Sequence, residues 1–458
     1  MSDNPFRNLP SIDKLLQADS SQSLVAQYGR PLTLDALRSV LDDTRQHLAD
    51  NGDVAPSVAE IIDAAQHTLS DWIAPTLYRV INATGVIIHT NLGRAPLSNA
   101  AIEAMHAVAG GYSTLEFDMS SGKRGSRSIH AARLLTRLTG AEAALVVNNN
   151  AGATILALSA LAGADGKEVI VSRGQLVEIG GGYRMPDVMA ASGARMVEVG
   201  TTNRTHLRDY RQAIDETSAL ILRVHHSNYA IIGFTSEPNI EELANLANET
   251  KLLCGDDIGS GALIDTTPFG LNPEPLVQHS IAVGADFVLF SGDKLIGGPQ
   301  AGIIVGRREI IDRLKQHPLA RALRADKLAL AALSATLTHY LKDEALDAIP
   351  VWRMISRSVD DIAQTAQAWA DHLAASGIAC NVIEGESAIG GGSLPGEKLP
   401  SRLLAIQTPS PDRLAARLRQ TDPPVIVRRE GGQVLLDPRT VLPRDEYDLL
   451  QVLSKELN

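Results

Sequence analysis

The chain has 458 residues, 44% of them hydrophobic and 21% charged, with a formal net charge of -11. This balance is ordinary for a globular protein and excludes both wholesale disorder and the bulk-basic surface of a nucleic-acid coat. At ~150 residues per domain the length suggests about three domains, or two with an appendage, and no apolar run approaches the ~20 residues that cross a bilayer.

The N-terminal stretch MSDNPFRNLP has no signal-peptide core, so the expected compartment is the cytoplasm. Residues 1–75 read as helical. Segments 32–51 and 56–72 carry apolar residues at spacings of three and four, including Leu34, Leu37 and Leu41, then Val58, Ile61, Ile62 and Leu69. Thr33 and Ser57 are candidate N-caps, and Asn51-Gly52 is a candidate stop. Eleven acidic side chains against five basic ones make this module net -6 (5 minus 11). Composition alone gives it a packing or oligomerisation role.

From residue 140 onward, short apolar runs alternate with helical stretches. Seven runs are expected as strands: 144–147, 168–172, 194–199, 219–225, 252–257, 286–291 and 301–306. Near-continuous apolar strands separated by crossover lengths mean an α/β fold with a mainly parallel sheet covered on both faces. The last two runs are joined by a short segment containing Gly292, Gly297, Gly298 and Pro299. That leaves no room for a crossover helix, so one strand is expected to be antiparallel. A helical stretch over 318–343 and a helix over 356–376 precede a smaller α+β region. Its hairpin is expected at 425–437, around Gly431-Gly432, and segments 389–392 and 394–400 are expected as a flexible loop. The expected domains are therefore 1–75, 76–335 and 336–458. Two cysteines, Cys254 and Cys380, are too few for a disulfide framework or a zinc quartet and are expected to act as small hydrophobes.

The segment from Phe290 to Gly302 places Ser291, Asp293 and Lys294 just past a buried strand, where open α/β sheets bind ligands. A lysine in a loop is ordinarily a solvated surface residue. A desolvated one loses its ammonium proton readily and becomes a Schiff-base nucleophile. The run ending in Asp256-Asp257 offers a carboxylate to a pyridinium nitrogen; adjacent strand residues face opposite ways, so only one serves, and Asp257 is favoured. The run 144–147 leads into Asn149, Asn150, Ala151 and Gly152, whose small side chains at a helix start suit a phosphate. Phosphate cup, aspartate and lysine follow in the order that a pyridoxal-phosphate enzyme of fold type I needs. Arg321 and Arg324 are spaced to share a helix face, which from spacing alone is more commonly a solvated salt-bridging surface than a fork for a tetrahedral anion. Arg94 follows an Asn-Leu-Gly turn. His225 and His226 adjoin a strand end without the partners of a metal site. Arg428 and Arg439 border the C-terminal hairpin.

The stretches RVINATGVIIHTNLGRAPLS (79–98), VSRGQLVEIGG (171–181) and SGDKLIGGPQ (291–300) resemble bacterial L-seryl-tRNA(Sec) selenium transferase, or selenocysteine synthase. The resemblance runs over essentially the whole chain. It implies a pyridoxal 5'-phosphate enzyme of fold type I, with Lys294 as the cofactor lysine and as the base that removes the seryl α-proton. It also implies conversion of seryl-tRNA(Sec) to selenocysteinyl-tRNA(Sec) with selenophosphate, through an aminoacrylyl-tRNA intermediate on the cofactor. Further implications are an N-terminal tRNA-binding module, a homodecamer built from dimers, and Arg94, Arg321 and Arg324 on the anion of the selenium donor. Asp293 either assists proton transfer or orients the loop. One departure is Gln175, where glutamate is the expected residue. The alternatives are a lyase or ammonia-lyase acting on a small hydroxy-amino acid without tRNA, and a tRNA-binding scaffold without chemistry.

Overall fold

The structure, a computed structural model, describes residues 9–51 and 54–457, and forms two compact units, 1–79 and 80–458. The first unit contains helices Ile12–Gln17, Asp19–Tyr28, Arg30–Asn51 and Val58–Ile73 around Leu15, Leu24, Leu37, Leu41, Ile61 and Leu69. Ser57 caps its helix as expected. Its hydroxyl accepts from the Glu60 amide, and the Glu60 carboxylate accepts from the Ser57 amide, which satisfies two otherwise unpaired donors. Thr33 is not a cap. Gly29, at φ +83°, ends one helix and the next begins at Arg30, so Thr33 lies inside it and donates to the Gly29 carbonyl. Pro31 stands in that first turn, where its missing N–H costs nothing. Of the expected Asn51-Gly52 stop, Gly52 lies outside the described residues.

The second unit is built on a seven-stranded sheet. Its spatial order is Ala143–Val147, Gly302–Gly306, Phe287–Ser291, Leu253–Gly259, Ser218–Val224, Glu168–Ser172 and Arg195–Val199. The last five are mutually parallel, whereas Gly302–Gly306 runs antiparallel to both neighbours. Alternate residues feed two apolar layers: Ile221, Cys254 and Val288 pack on one face, and Leu220, Leu222 and Leu289 on the other. Such two-sided burial requires the unbroken apolar runs seen in the sequence. The helix Asn150–Leu161 is buried around most of its circumference because it is sandwiched between this sheet and further helices.

A second, six-stranded sheet joins the two ends of this unit. Its order is Ile81–Ala83, Val425–Glu430, Gln433–Leu436, Lys398–Gln407, Cys380–Gly390 and Val86–Ile88. Residues 81–88, assigned from sequence to the large domain, therefore pair within the C-terminal sheet. The loop expected over 389–392 and 394–400 is turn over 391–397, but its two ends are strand: 389–390 close Cys380–Gly390, where Gly390 pairs with Ile88, and 398–400 open Lys398–Gln407, where Lys398 pairs with Ala388.

The expected helical stretch 318–343 is broken. Pro318–Ala322 and Lys327–Leu341 are separate helices, because the Asn148 amide donates to the Leu323 carbonyl at 2.9 Å and Arg324 bridges to Val147. Asp326 then caps the second helix through the amides of Leu328 and Ala329. Arg321 and Arg324 consequently do not share a helix face.

Candidate active site

A cavity of ≈ 560 Å³ opens at the carboxyl ends of the parallel strands. Lys294, Asp257, Asn149, Asn150, Ala151 and Ser291, drawn from three segments of the sequence, all line it. The loop bearing Lys294 is fixed by backbone bonds: the Gly292 amide donates to the Ala301 carbonyl, and the Leu295 amide to Ser260. Burial pushes the Lys294 ammonium below its ordinary range, a shift that nearby Asp257 opposes.

Asp257 and Asp256 separate as strand geometry demands. Asp257 accepts from Asn150 Nδ2 at 2.9 Å and from Thr154 Oγ1 at 3.1 Å, and it faces the cavity. Burial pushes its carboxyl above the usual range, against those two donors and Lys294. Asp256 points to the opposite face, where Arg223 donates to both of its oxygens at 2.8 and 3.2 Å and Ser280 donates at 2.7 Å. It is a satisfied internal ion pair.

Asn149 caps the helix that starts at Asn150, its Oδ1 accepting from the Gly152 amide at 2.7 Å. Gly152 is thus committed to the cap, and Asn150 and Ala151 present the first turn to the cavity. Gly302 lets this turn sit against the sheet, since a Cβ there would stand 2.0 Å from the Asn149 carbonyl oxygen.

Arg94 lines the same cavity and has a left-handed backbone at φ 64°, uncommon for a residue with a side chain. Its Nη1 donates to Asp293 Oδ2 at 2.7 Å. This ion pair ties the Lys294 loop to the turn that carries Arg94. Arg321 and Arg324 are not part of this chain's cavity lining. Arg321 is exposed, and Arg324 pairs with Glu116 at 3.2 Å, alongside Arg127 and Arg124.

His225 and Ser227 border the cavity, whereas His226 faces Glu237 at 3.8 Å. Gln175 uses both ends of its amide, accepting from the Val224 amide at 3.1 Å and donating to Glu237 at 3.2 Å. A glutamate would lack that donor. Arg439 is buried and fully engaged, donating to Ser387 Oγ and to the carbonyls of Met354 and Pro400; burial lowers its pKa to about 10. Arg428 donates to the Glu386 carbonyl. Neither lines the cavity.

Sequence inspection missed Thr154, Tyr183 and Gly392. Thr154 lies one turn beyond Asn150 and was legible from its i+4 spacing. Tyr183 follows three glycines, and burial beside Asp257 raises its phenol pKa. Gly392 reaches the cavity from the C-terminal sheet.

The donor set suits pyridoxal phosphate. A buried lysine, a carboxylate held by two donors and an open helix start all face one cavity, and the buried Asn150 Oδ1 has no partner of its own.

A family model described as L-seryl-tRNA selenium transferase matches residues 80–442, and one described as selenocysteine synthase N terminal matches residues 6–45. The chain is 48% identical to an L-seryl-tRNA(Sec) selenium transferase of Geobacter sulfurreducens, covering 98% of this chain and 99% of that one. It is 46% identical to the protein of that name from Hyphomonas neptunium, covering 96% of each. Among solved structures, a D-glucosaminate-6-phosphate ammonia-lyase superposes with a TM-score of 0.57 at 20% identity, over 84% of this chain and 99% of that one, a likeness of fold alone. The architecture is that of fold-type I pyridoxal-phosphate enzymes. With matches spanning both units and nearly every residue, the chain belongs to the L-seryl-tRNA selenium transferase family.

Proposed function

We propose that this protein converts L-seryl-tRNA(Sec) to L-selenocysteinyl-tRNA(Sec), with selenophosphate as the selenium donor. The observation that carries this reading is end-to-end likeness to transferases of that name, joined to a cavity in which Lys294 and Asp257 face the same space. Bound pyridoxal phosphate supplies an electron sink for negative charge at the seryl α-carbon.

The chain's own residues do the remaining work. Lys294 anchors the cofactor and, once released, takes the α-proton on Nζ; burial favours the neutral amine that this requires. Asp257 holds a proton on the pyridine nitrogen, and Asn150 and Thr154 keep its carboxylate in place. Asn149, Asn150 and Ala151 form the phosphate-binding turn, which the Gly152 amide holds through the Asn149 cap, with Ser291 beside it. Arg94 receives the anionic end of the donor, and Asp293 orients Arg94. Arg321 and Arg324 lie outside this chain's cavity, so their use on the same anion would draw them from a second copy, within the decamer of dimers that we infer. Residues 1–75 are the tRNA-binding module, 76–335 the catalytic domain and 336–458 the smaller domain, working in the cytoplasm.

The test is incubation of cofactor-loaded protein with labelled seryl-tRNA(Sec) and selenophosphate, followed by mild deacylation. Selenocysteine in the hydrolysate is the expected product. Serine alone, or pyruvate from free serine, would replace this reading by the lyase.

A further inference from the structure

Glu274 lies on the segment Asn272-Pro273-Glu274-Pro275-Leu276, where two flanking prolines restrict the backbone. Its side chain is only 2% exposed, and its amide donates to Thr266 Oγ1 at 3.1 Å. The carboxylate oxygen Oε1 is buried with no hydrogen-bond partner, as is Nε2 of His225, and these two atoms stand 3.5 Å apart. Buried carboxylates are normally paired, because an uncompensated charge away from water is costly. Here the near group is an imidazole that lines the cofactor cavity.

We propose that Glu274 is a positioning residue that acts through His225, fixing the imidazole at the cavity wall as a hydrogen-bond acceptor toward the bound cofactor. The proposal rests on the cofactor assignment above but not on the identity of the acyl-tRNA. The His225 amide donates to the Asp257 carbonyl at 2.9 Å, so the backbone is already tied to the strand that carries Asp257. Rotation of the ring is the freedom that remains, and a carboxylate that takes the Nε2–H removes it, leaving the lone pair of the other nitrogen to accept. The same device holds metal-binding histidines, whose second nitrogen is oriented by a carboxylate. The other charged groups around this wall are Lys294, Arg94 with Asp293, Asp257, and the adjacent His226 with Glu237. Among these, Glu274 adds negative charge near Lys294.

The experiment measures pyridoxal-phosphate affinity and the pH midpoint of the visible absorbance change in full-length protein. It compares wild type with Glu274→Gln, Glu274→Asp, His225→Ala and the His225→Ala/Glu274→Gln pair. Loss of a charge-assisted contact predicts about tenfold weaker cofactor binding in Glu274→Gln, with partial recovery in Glu274→Asp. The absorbance midpoint should fall, because Lys294 loses a negative neighbour. In the His225→Ala background, Glu274→Gln should weaken binding no further. Wild-type affinity in Glu274→Gln, or a loss that adds in full to that of His225→Ala, overturns the proposal. Should Glu274→Gln fail to fold, Glu274→Asp, alone and with His225→Ala, carries the same comparison. A wild-type protein that binds no cofactor would instead overturn the functional reading.

Discussion

A Cβ on Gly392 would stand 2.6 Å from Nζ of Lys294 and 2.8 Å from its Cε, at a backbone φ of +80°. The C-terminal sheet thus reaches the reactive lysine with the one residue that leaves it room. Two independent costs bear on any substitution: the left-handed backbone, roughly 1–2 kcal/mol for a residue with a side chain, and direct overlap with the lysine.

Gly392→Ala should therefore fold and yet lose most cofactor binding, because Lys294 must move to admit the methyl group. Thermal melting and titration with pyridoxal phosphate check this. Normal affinity would mean that the loop shifts rather than the lysine.

The two adjacent aspartates should give opposite phenotypes. Asp257→Asn removes the carboxylate from the cavity and should reduce turnover by at least about 100-fold, the usual scale of a positioned proton-transfer partner, with little loss of stability. Asp256→Asn leaves Arg223 facing a buried amide and should cost about 3–5 kcal/mol in urea denaturation, with cofactor binding intact. Paired denaturation and absorbance titrations separate the two.

Much of this was legible in the sequence because the governing pattern is local. The seven strands stood out as apolar runs closed by small or polar residues, and Gly292-to-Pro299 was too short for a crossover, which fixed the antiparallel strand. Alternation along a strand separated Asp256 from Asp257. Thr154 apart, what escaped notice depended on distant parts of the chain. The break at Leu323 is imposed by Asn148, and the strand character of 389–390 by pairing with residues 86–88. Neither constraint has a signal at the position it controls. The same applies to Glu116, which takes Arg324 away from the fork that its three-residue spacing from Arg321 suggested.

Lys294 should make stability depend on pH in the alkaline range. Burial lowers its proton affinity below the ordinary value of 10.5, so between the lowered value and 10.5 the unfolded chain holds a proton that the folded chain lacks. Unfolding free energy then rises with pH across that window. In cofactor-free protein, the wild-type unfolding free energy minus that of Lys294→Met should increase as pH is raised toward 10.5. Denaturation curves at several pH values measure it, and a flat difference would mean that the lysine is charged in the folded state. Lys294→Met should also abolish the visible band and borohydride fixation of the cofactor.

Arg94 is the arginine that this chain places in the cavity, and it is already occupied by Asp293 at 2.7 Å. An incoming anion must compete with that carboxylate or share the guanidinium, whose planar set of donors can serve both at once. Each charge-assisted hydrogen bond to a tetrahedral anion is worth about 1.5–3 kcal/mol. Arg94→Ala should therefore weaken use of the selenium donor by about 10- to 100-fold. Arg94→Lys should rescue poorly, because a single ammonium cannot hold Asp293 and the donor together. Asp293→Asn removes the competing charge, so it should bind the donor more tightly even where turnover falls through loss of loop orientation. Arg324→Ala bears on the oligomer: a comparable loss of donor use would bring a second copy's arginine to the anion. Loss of stability alone would confine Arg324 to its pairing with Glu116. Selenophosphate dependence of product formation, with seryl-tRNA(Sec) affinity as the control, distinguishes these outcomes. An unchanged donor dependence in Arg94→Ala would remove Arg94 from the donor site and leave its ion pair with Asp293 as a brace for the lysine loop.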